Sequence, residues 1–220
     1  MTSPLDKLLY PSSLSLLEIP KGPPRRVFFS VHYQRDIWRA QQVQKHWVTK
    51  DTQTAAGFFD GSLEEKAKKE GDEAVKRLIN GGLDGCSVTC VLIGAETFTR
   101  RWVHYEIFKS IEEGMGVFGV QIHGLKNSEG KIDTAGTNPF ACLGYGTRDT
   151  SDKMWPMVRY AEGWKDAPHN GGINESAAPY LRRKDKPMLD RLFQIYDWVD
   201  NDGYNNFANW AAAAAKQAGR

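Results

Sequence analysis

The sequence predicts a doubly wound α/β sheet, and three observations predict it. Val27-Phe28-Phe29-Ser30-Val31, Ser87-Val88-Thr89-Cys90-Val91-Leu92-Ile93 and Val117-Phe118-Gly119-Val120-Gln121-Ile122 are short apolar, β-branched runs of the kind that form buried parallel strands. Between them lie stripes with helical spacing, and the order strand, helix, strand, helix repeats from residue 27 to residue 122. That alternation is the pattern of parallel strands joined by helical crossovers.

Each element has its own local reason. The first run is followed by Ile37, Ala40, Val43 and Trp47 at steps of three, three and four, a stripe that faces a sheet, with Asp36 placed to cap the helix start. Ala55 to Asp60 reads as a second short strand. A Lys/Glu-rich stretch, in which Lys66-Ala67-Lys68-Lys69 is balanced by Glu64, Glu65 and Glu70, reads as a solvated helix or loop. Ala74, Val75, Leu78 and Ile79 then form a helix that stops at Asn80-Gly81-Gly82. After the strand closed by Gly94, Thr97 or Thr99 can cap a helix carrying Val103, Ile107, Ile111 and Met115, with Gly114 and Gly116 at its end.

Residues 123–190 break the rhythm with Gly, Pro, Asn and aromatic residues and read as an irregular insertion. Its aromatics Phe140, Tyr145, Trp155 and Trp164 either roof a pocket or bury a satellite core. Leu192 to Tyr196 reads as the last strand and Asn205 to Ala218 as an Ala-rich closing helix. The expected organisation is an N-terminal arm at 1–24, ended by Pro20-Lys21-Gly22-Pro23-Pro24, and one domain at 25–220. Within it the core spans 25–122, the insertion 123–190, and the final strand and helix 191–220.

Composition narrows the function. The chain has 220 residues, 40% of them hydrophobic and 25% charged, which excludes disordered, collagen-like and coiled-coil classes. A formal charge of +2 argues for neither a nucleic-acid nor a membrane partner. No stretch approaches the roughly 20 apolar residues of a membrane span, and the N-terminus lacks the basic start and clean apolar block of a signal peptide. Three cysteines, Cys86, Cys90 and Cys142, are an odd number without zinc spacing. The first two read as thiols sharing one face of a buried strand, so the expected compartment is a reducing cytoplasm and no metal site is expected. No G-x-G-x-x-G or P-loop is present.

The informative segment is Arg101-Trp102-Val103-His104-Tyr105-Glu106-Ile107. Trp102 and Glu106 are four apart and share a helical face beside the apolar stripe, which sets a carboxylate next to an indole near the sheet. Read from spacing alone, Glu106 is either a surface residue pairing with Lys109 or Arg101, or a carboxylate in a site.

Here the chain resembles the Toll/interleukin-1 receptor (TIR) domains, and within them the TIR-like proteins of bacterial Thoeris anti-phage defence. Val27-Phe28-Phe29-Ser30 is similar to that family's first strand, and Trp102-Val103-His104-Tyr105-Glu106-Ile107 to its Trp-x-x-x-Glu-(Ile/Leu) helix. A weaker likeness runs from Tyr196-Asp197-Trp198-Val199 to Asn209-Trp210. Val31 stands where the family usually has Tyr, and Gly57-Phe58-Phe59-Asp60 only loosely matches its loop after the second strand.

The resemblance implies a flavodoxin-like parallel sheet and cleavage of the nicotinamide–ribose bond of NAD+, with Glu106 catalytic and NAD+ as substrate, not cofactor. It also implies Ser30, His32, Tyr33, Phe59, Asp60 and Trp102 as substrate-binding candidates, since open α/β sheets bind ligands at the carboxyl ends of their strands. For His32 the plain alternative is an exposed loop imidazole, and for Trp102 it is packing alone. In Thoeris-like systems the expected product is a cyclic or conjugated ADP-ribose read by a separate effector protein, with a phage trigger and a homo-oligomer as further expected partners. Two other functions fit the same sheet: an adaptor that only self-associates, and a nucleoside deoxyribosyltransferase whose Glu attacks a sugar. A receiver domain lacks its acids, because Phe28-Phe29-Ser30-Val31 carries none and the strand ending at Ile93 runs into Gly94-Ala95.

Overall fold

The computed structural model describes residues 25–48, 53–56, 61–168, 170–174, 176, 181 and 188–220. The arm at 1–24 lies outside the described residues. Strands β1 (Arg25–Val31), β2 (Gln53–Ala56), β3 (Val88–Ile93), β4 (Gly116–Gln121) and β8 (Ile195–Asp197) form one parallel sheet in the order β2-β1-β3-β4-β8. This is the flavodoxin-like order, with its switch point between β1 and β3. Helices α1 (Tyr33–Val48), α2 (Gly61–Glu70), α3 (Asp72–Leu83), α4 (Arg101–Glu112) and α5 (Gly203–Gln217) complete the layers. No helix among the described residues is long and apolar enough to cross a membrane.

Side chains alternate across a strand, so a strand covered on both faces must be apolar at every position. All six residues of β3 are buried. Val27 and Phe29 of β1 pack with Val88, Cys90 and Leu92 against α1 and α5, whereas Phe28 packs against α3 on the other face. Val91 and Ile93 face α4. The stretch of small residues in α5 has a steric cause: a Cβ on Gly116 of β4 would lie 2.3 Å from the carbonyl oxygen of Ala214, so helix and strand backbones nearly touch.

The described residues of 123–190 hold more regular structure than the insertion reading anticipated. Strands β5 (Leu143–Arg148), β6 (Ser151–Tyr160) and β7 (Gly163–Asp166) form a second, antiparallel sheet in the order β5-β6-β7. Leu143, Tyr145, Met154 and Val158 of this sheet, with Phe140, cover Val103, Ile107, Phe108 and Ile111 of α4. Helix α4 is thereby clasped between two sheets, and eight of its twelve residues are buried.

Several local expectations need correction. Asp36 does not cap α1, which already starts at Tyr33; it lies fully buried inside the helix, 3.3 Å from Arg39 Nη1. Neither Thr97 nor Thr99 caps α4. Arg100 stands at its N-cap, and the Thr97 hydroxyl instead accepts from the Gly94 N–H at 2.9 Å, tying the turn to the end of β3. Cys86 precedes β3 and packs with α3, on the opposite side from Cys90, so the two thiols do not share a face. The last strand is three residues long and begins at Ile195.

Candidate active site

Phe28 of β1 faces α3 and α4, so Ser30, two residues on, faces the same side. In register beside β1, Thr89 of β3 partners Phe28, and Val91 partners Ser30. Helix α4 runs back along this face with Glu106 and Ser110 one turn apart. The Ser30 hydroxyl donates to Glu106 Oε2 at 2.5 Å, and the hydroxyls of Thr89 and Ser110 bond at 2.7 Å. The spacings match: four helical residues rise about 6 Å and two strand residues about 6.6 Å. Two polar rungs thus pin α4 to β1 and β3 within an otherwise apolar interface.

Glu106 is the upper rung, only 8% exposed. Lys109 pairs with Glu112 and Glu113, and Arg101 pairs with Asp72 at 2.7 Å, so the reading of Glu106 as a surface ion-pair residue is overturned. The carboxylate opens on its other side into a cavity of about 420 Å³, lined by Val31, His32, Tyr33 and Gln34 after β1 and by Thr99 to Val103 around the start of α4. Val75, Leu78 and Ile79 of α3 form its apolar wall, and Lys68 of α2 reaches it as well. The cavity falls within the range of small-molecule sites, roughly 300–1,000 Å³.

The sequence candidates divide accordingly. His32, Tyr33, Trp102 and Glu106 all line the cavity. Ser30 does not; it is fully buried and its hydroxyl engages Glu106, so it reaches a ligand only through that carboxylate. Phe59 and Asp60 lie outside the described residues. Trp102 is half-buried, edge-on to Tyr105 with centroids 5.8 Å apart, and the Arg101 guanidinium lies 4.8 Å from its ring. Phe140, Tyr145, Trp155 and Trp164 are not among the lining residues; Phe140 and Tyr145 belong to the core behind α4. Sequence reasoning passed over Arg100 and Lys68, because a cation beside a helix start or in a mixed-charge run carries no local mark of facing a pocket.

Beside the cavity, a ladder of charges crosses the carboxyl edge of the sheet. Arg100 bonds Glu96, Glu96 accepts from Arg35 at 2.8 Å, and Arg35 forks onto Asp133 at 3.1 Å. Asp133 also lies 3.6 Å from Arg39, the partner of Asp36. Burial pushes the Asp36 carboxyl up, with Arg39 and Arg35 pulling the other way. Next to it, Gly94 leaves room for that carboxyl: a Cβ there would sit 2.1 Å from Asp36 Oδ2, so the Asp36 side chain or the backbone would have to shift. Gln121 receives the Gly136 N–H and donates to its carbonyl at 2.7 Å, holding the loop after β4 over the strand ends.

Comparison with known proteins settles the family. The family model described as Thoeris protein ThsB, TIR-like domain, matches residues 28–127. A protein of Bacillus cereus (strain MSX-D12) named "Putative cyclic ADP-D-ribose synthase ThsB1" is 49% identical over 192 residues, covering 84% of this chain and 98% of that one. The chain belongs to the ThsB family of TIR-like Thoeris proteins. The resemblance read from the first strand and from Trp102 to Ile107 is borne out. The ThsB match contains Ser30, Arg100 and Glu106 and ends before β5, so the second sheet that covers α4 lies beyond it.

Proposed function

We propose that this protein cleaves the bond between nicotinamide and ribose in NAD+ and closes the remaining ADP-ribose into a cyclic nucleotide signal for anti-phage defence, with Glu106 as the carboxylate that meets the ribose. The carrying observation is the buried carboxylate of Glu106, oriented by Ser30 and lining a cavity at the carboxyl edge of a parallel sheet. The 49% identical relative, named a cyclic ADP-D-ribose synthase, supports the same reading.

The chemistry suits that geometry. The nicotinamide of NAD+ is a cationic pyridinium, so it departs as a neutral base with the electron pair of the broken bond and requires no general acid. Positive charge then develops on the ribose as an oxocarbenium-like species. A fixed carboxylate beside it stabilises that charge without reorganising, and the Ser30 O–H holds the carboxylate in place. Attack at the anomeric carbon by the substrate's own adenosine half gives the cyclic product; attack by water gives ADP-ribose and a proton. His32, Tyr33 and Trp102 supply the polar and aromatic wall of the bound state.

A cyclic nucleotide acts only when something reads it, so the proposal includes a separate effector protein, with a phage-borne trigger and self-assembly regulating the output. The test is chromatography of products after incubating concentrated protein with NAD+, alone and with phage-infected lysate, beside Glu106→Gln. Nicotinamide and a product lighter than ADP-ribose by one water, from wild type only, are expected. Equal release by Glu106→Gln would sink the assignment of Glu106. No release under either condition, with self-association intact, would favour the adaptor function.

A further inference from the structure

We propose that Arg100 holds the diphosphate of the bound dinucleotide, so that the cavity selects a dinucleotide over a nucleoside; this deepens the reading above and rests on it. Three cations, Lys68, Arg100 and Arg101, line the same cavity as Glu106. A cation on this wall suits the diphosphate of NAD+, a dianion joined to the reacting ribose.

Among the three, geometry singles out Arg100. The Arg101 guanidinium turns away to Asp72 at 2.7 Å and rests over Trp102. One edge of the Arg100 guanidinium is fixed by Glu96, which Arg35 holds in turn at 2.8 Å. Its Nε lies buried and has no hydrogen-bond partner among the described residues. The side chain as a whole is 40% exposed, so the guanidinium can meet a phosphate oxygen that enters the cavity. Guanidinium forks suit phosphate better than any other side chain does.

Position agrees as well. Arg100 is the N-cap of α4, whose helical ladder begins with the His104 N–H to the Arg100 carbonyl at 3.1 Å, so the positive end of the helix adds to the guanidinium. Six residues, about 9 Å of helical rise, separate it from Glu106. That is the scale on which a diphosphate extends from the 5′ carbon of a ribose whose anomeric carbon lies at the carboxylate.

The test compares wild type, Arg100→Gln and Glu96→Gln in two measurements: nicotinamide release from NAD+ and from nicotinamide riboside, which has no phosphate, and calorimetric binding of ADP-ribose. Arg100→Gln is expected to raise KM for NAD+ about tenfold or more, the loss of one charged hydrogen bond, with kcat nearly unchanged. It should leave nicotinamide riboside cleavage unaltered and weaken ADP-ribose binding by the same factor. Glu96→Gln keeps the guanidinium but frees the edge that Glu96 holds, and is expected to weaken NAD+ and ADP-ribose binding less than Arg100→Gln does. Equal losses on both substrates, or unchanged ADP-ribose binding in Arg100→Gln, would overturn the proposal. Wild type that binds ADP-ribose through Arg100 yet releases no nicotinamide would overturn the NAD+-cleaving reading and leave this one standing.

Discussion

Ser30 and Glu106, 76 positions apart in the chain, meet at 2.5 Å between the hydroxyl of one and the carboxylate of the other. A hydroxyl donating to an ionised carboxylate makes a short, charge-assisted bond, and here it orients the one acidic side chain that lines the cavity among the described residues.

Replacing Ser30 by Ala removes that donor without adding bulk. Hydrogen bonds to charged groups contribute about 1.5–3 kcal/mol, so kcat for nicotinamide release is expected to fall between about tenfold and a hundredfold, with KM for NAD+ little changed. Steady-state kinetics at several NAD+ concentrations check this. An equal rise in KM would show that Ser30 binds substrate instead of positioning Glu106.

Gly116→Ala forces a methyl group to within 2.3 Å of the Ala214 carbonyl oxygen, a backbone atom that can move only if α5 moves. The expected loss of stability is about 1–3 kcal/mol or more, read as a lower urea midpoint. Gly81→Ala, where a Cβ meets nothing within 4 Å, is the contrasting variant and should be nearly neutral or stabilising.

Burial holds the His104 imidazole below its ordinary pKa of 6.5, even though its Nε2 lies 2.8 Å from the Phe98 carbonyl, a contact that pulls the other way. The unfolded chain therefore binds the proton first as pH drops, and stability rises with pH wherever the unfolded state holds more protons. The contribution of His104 is complete above about pH 6.5, is lost as pH falls below that value, and stops changing once the folded imidazole also protonates. Urea unfolding between pH 5 and 8 should show this slope in wild type and a shallower one in His104→Gln.

All three thiols are held above their ordinary pKa by burial, Cys86 to about 11 and Cys90 and Cys142 in the same direction. Thiolate is the reactive form, so native protein at pH 8 is expected to react slowly with a chromogenic disulfide reagent and to release the full complement only on unfolding. Rapid reaction of one thiol in the native state would contradict the packing described for it.

The alternation of strands with both faces buried and helices with one apolar stripe was legible in the chain, because period 2 and period 3.6 are local properties. The helix start at Tyr33 is hidden for the opposite reason: Asp36 has the composition of a cap, but inside the helix it pairs with Arg39, and Arg39 is itself held by the carbonyls of Leu125 and Lys131, 86 and 92 residues away. The second sheet escaped notice because β6 carries Pro156 and β5 is broken by Gly144 and Gly146, residues that locally argue against strands.

By itself, the sequence determined the layered α/β class and the family motif in which Glu106 stands. Those rest on residue type and spacing, which the chain carries along its length. Only the tertiary structure decided that Ser30 serves Glu106 instead of lining the cavity, that α4 is clasped between two sheets, and that Arg100 lines the same cavity as the carboxylate. Each of these is a contact between segments far apart in sequence, set by strand register and helix direction, and no local pattern of side chains encodes it.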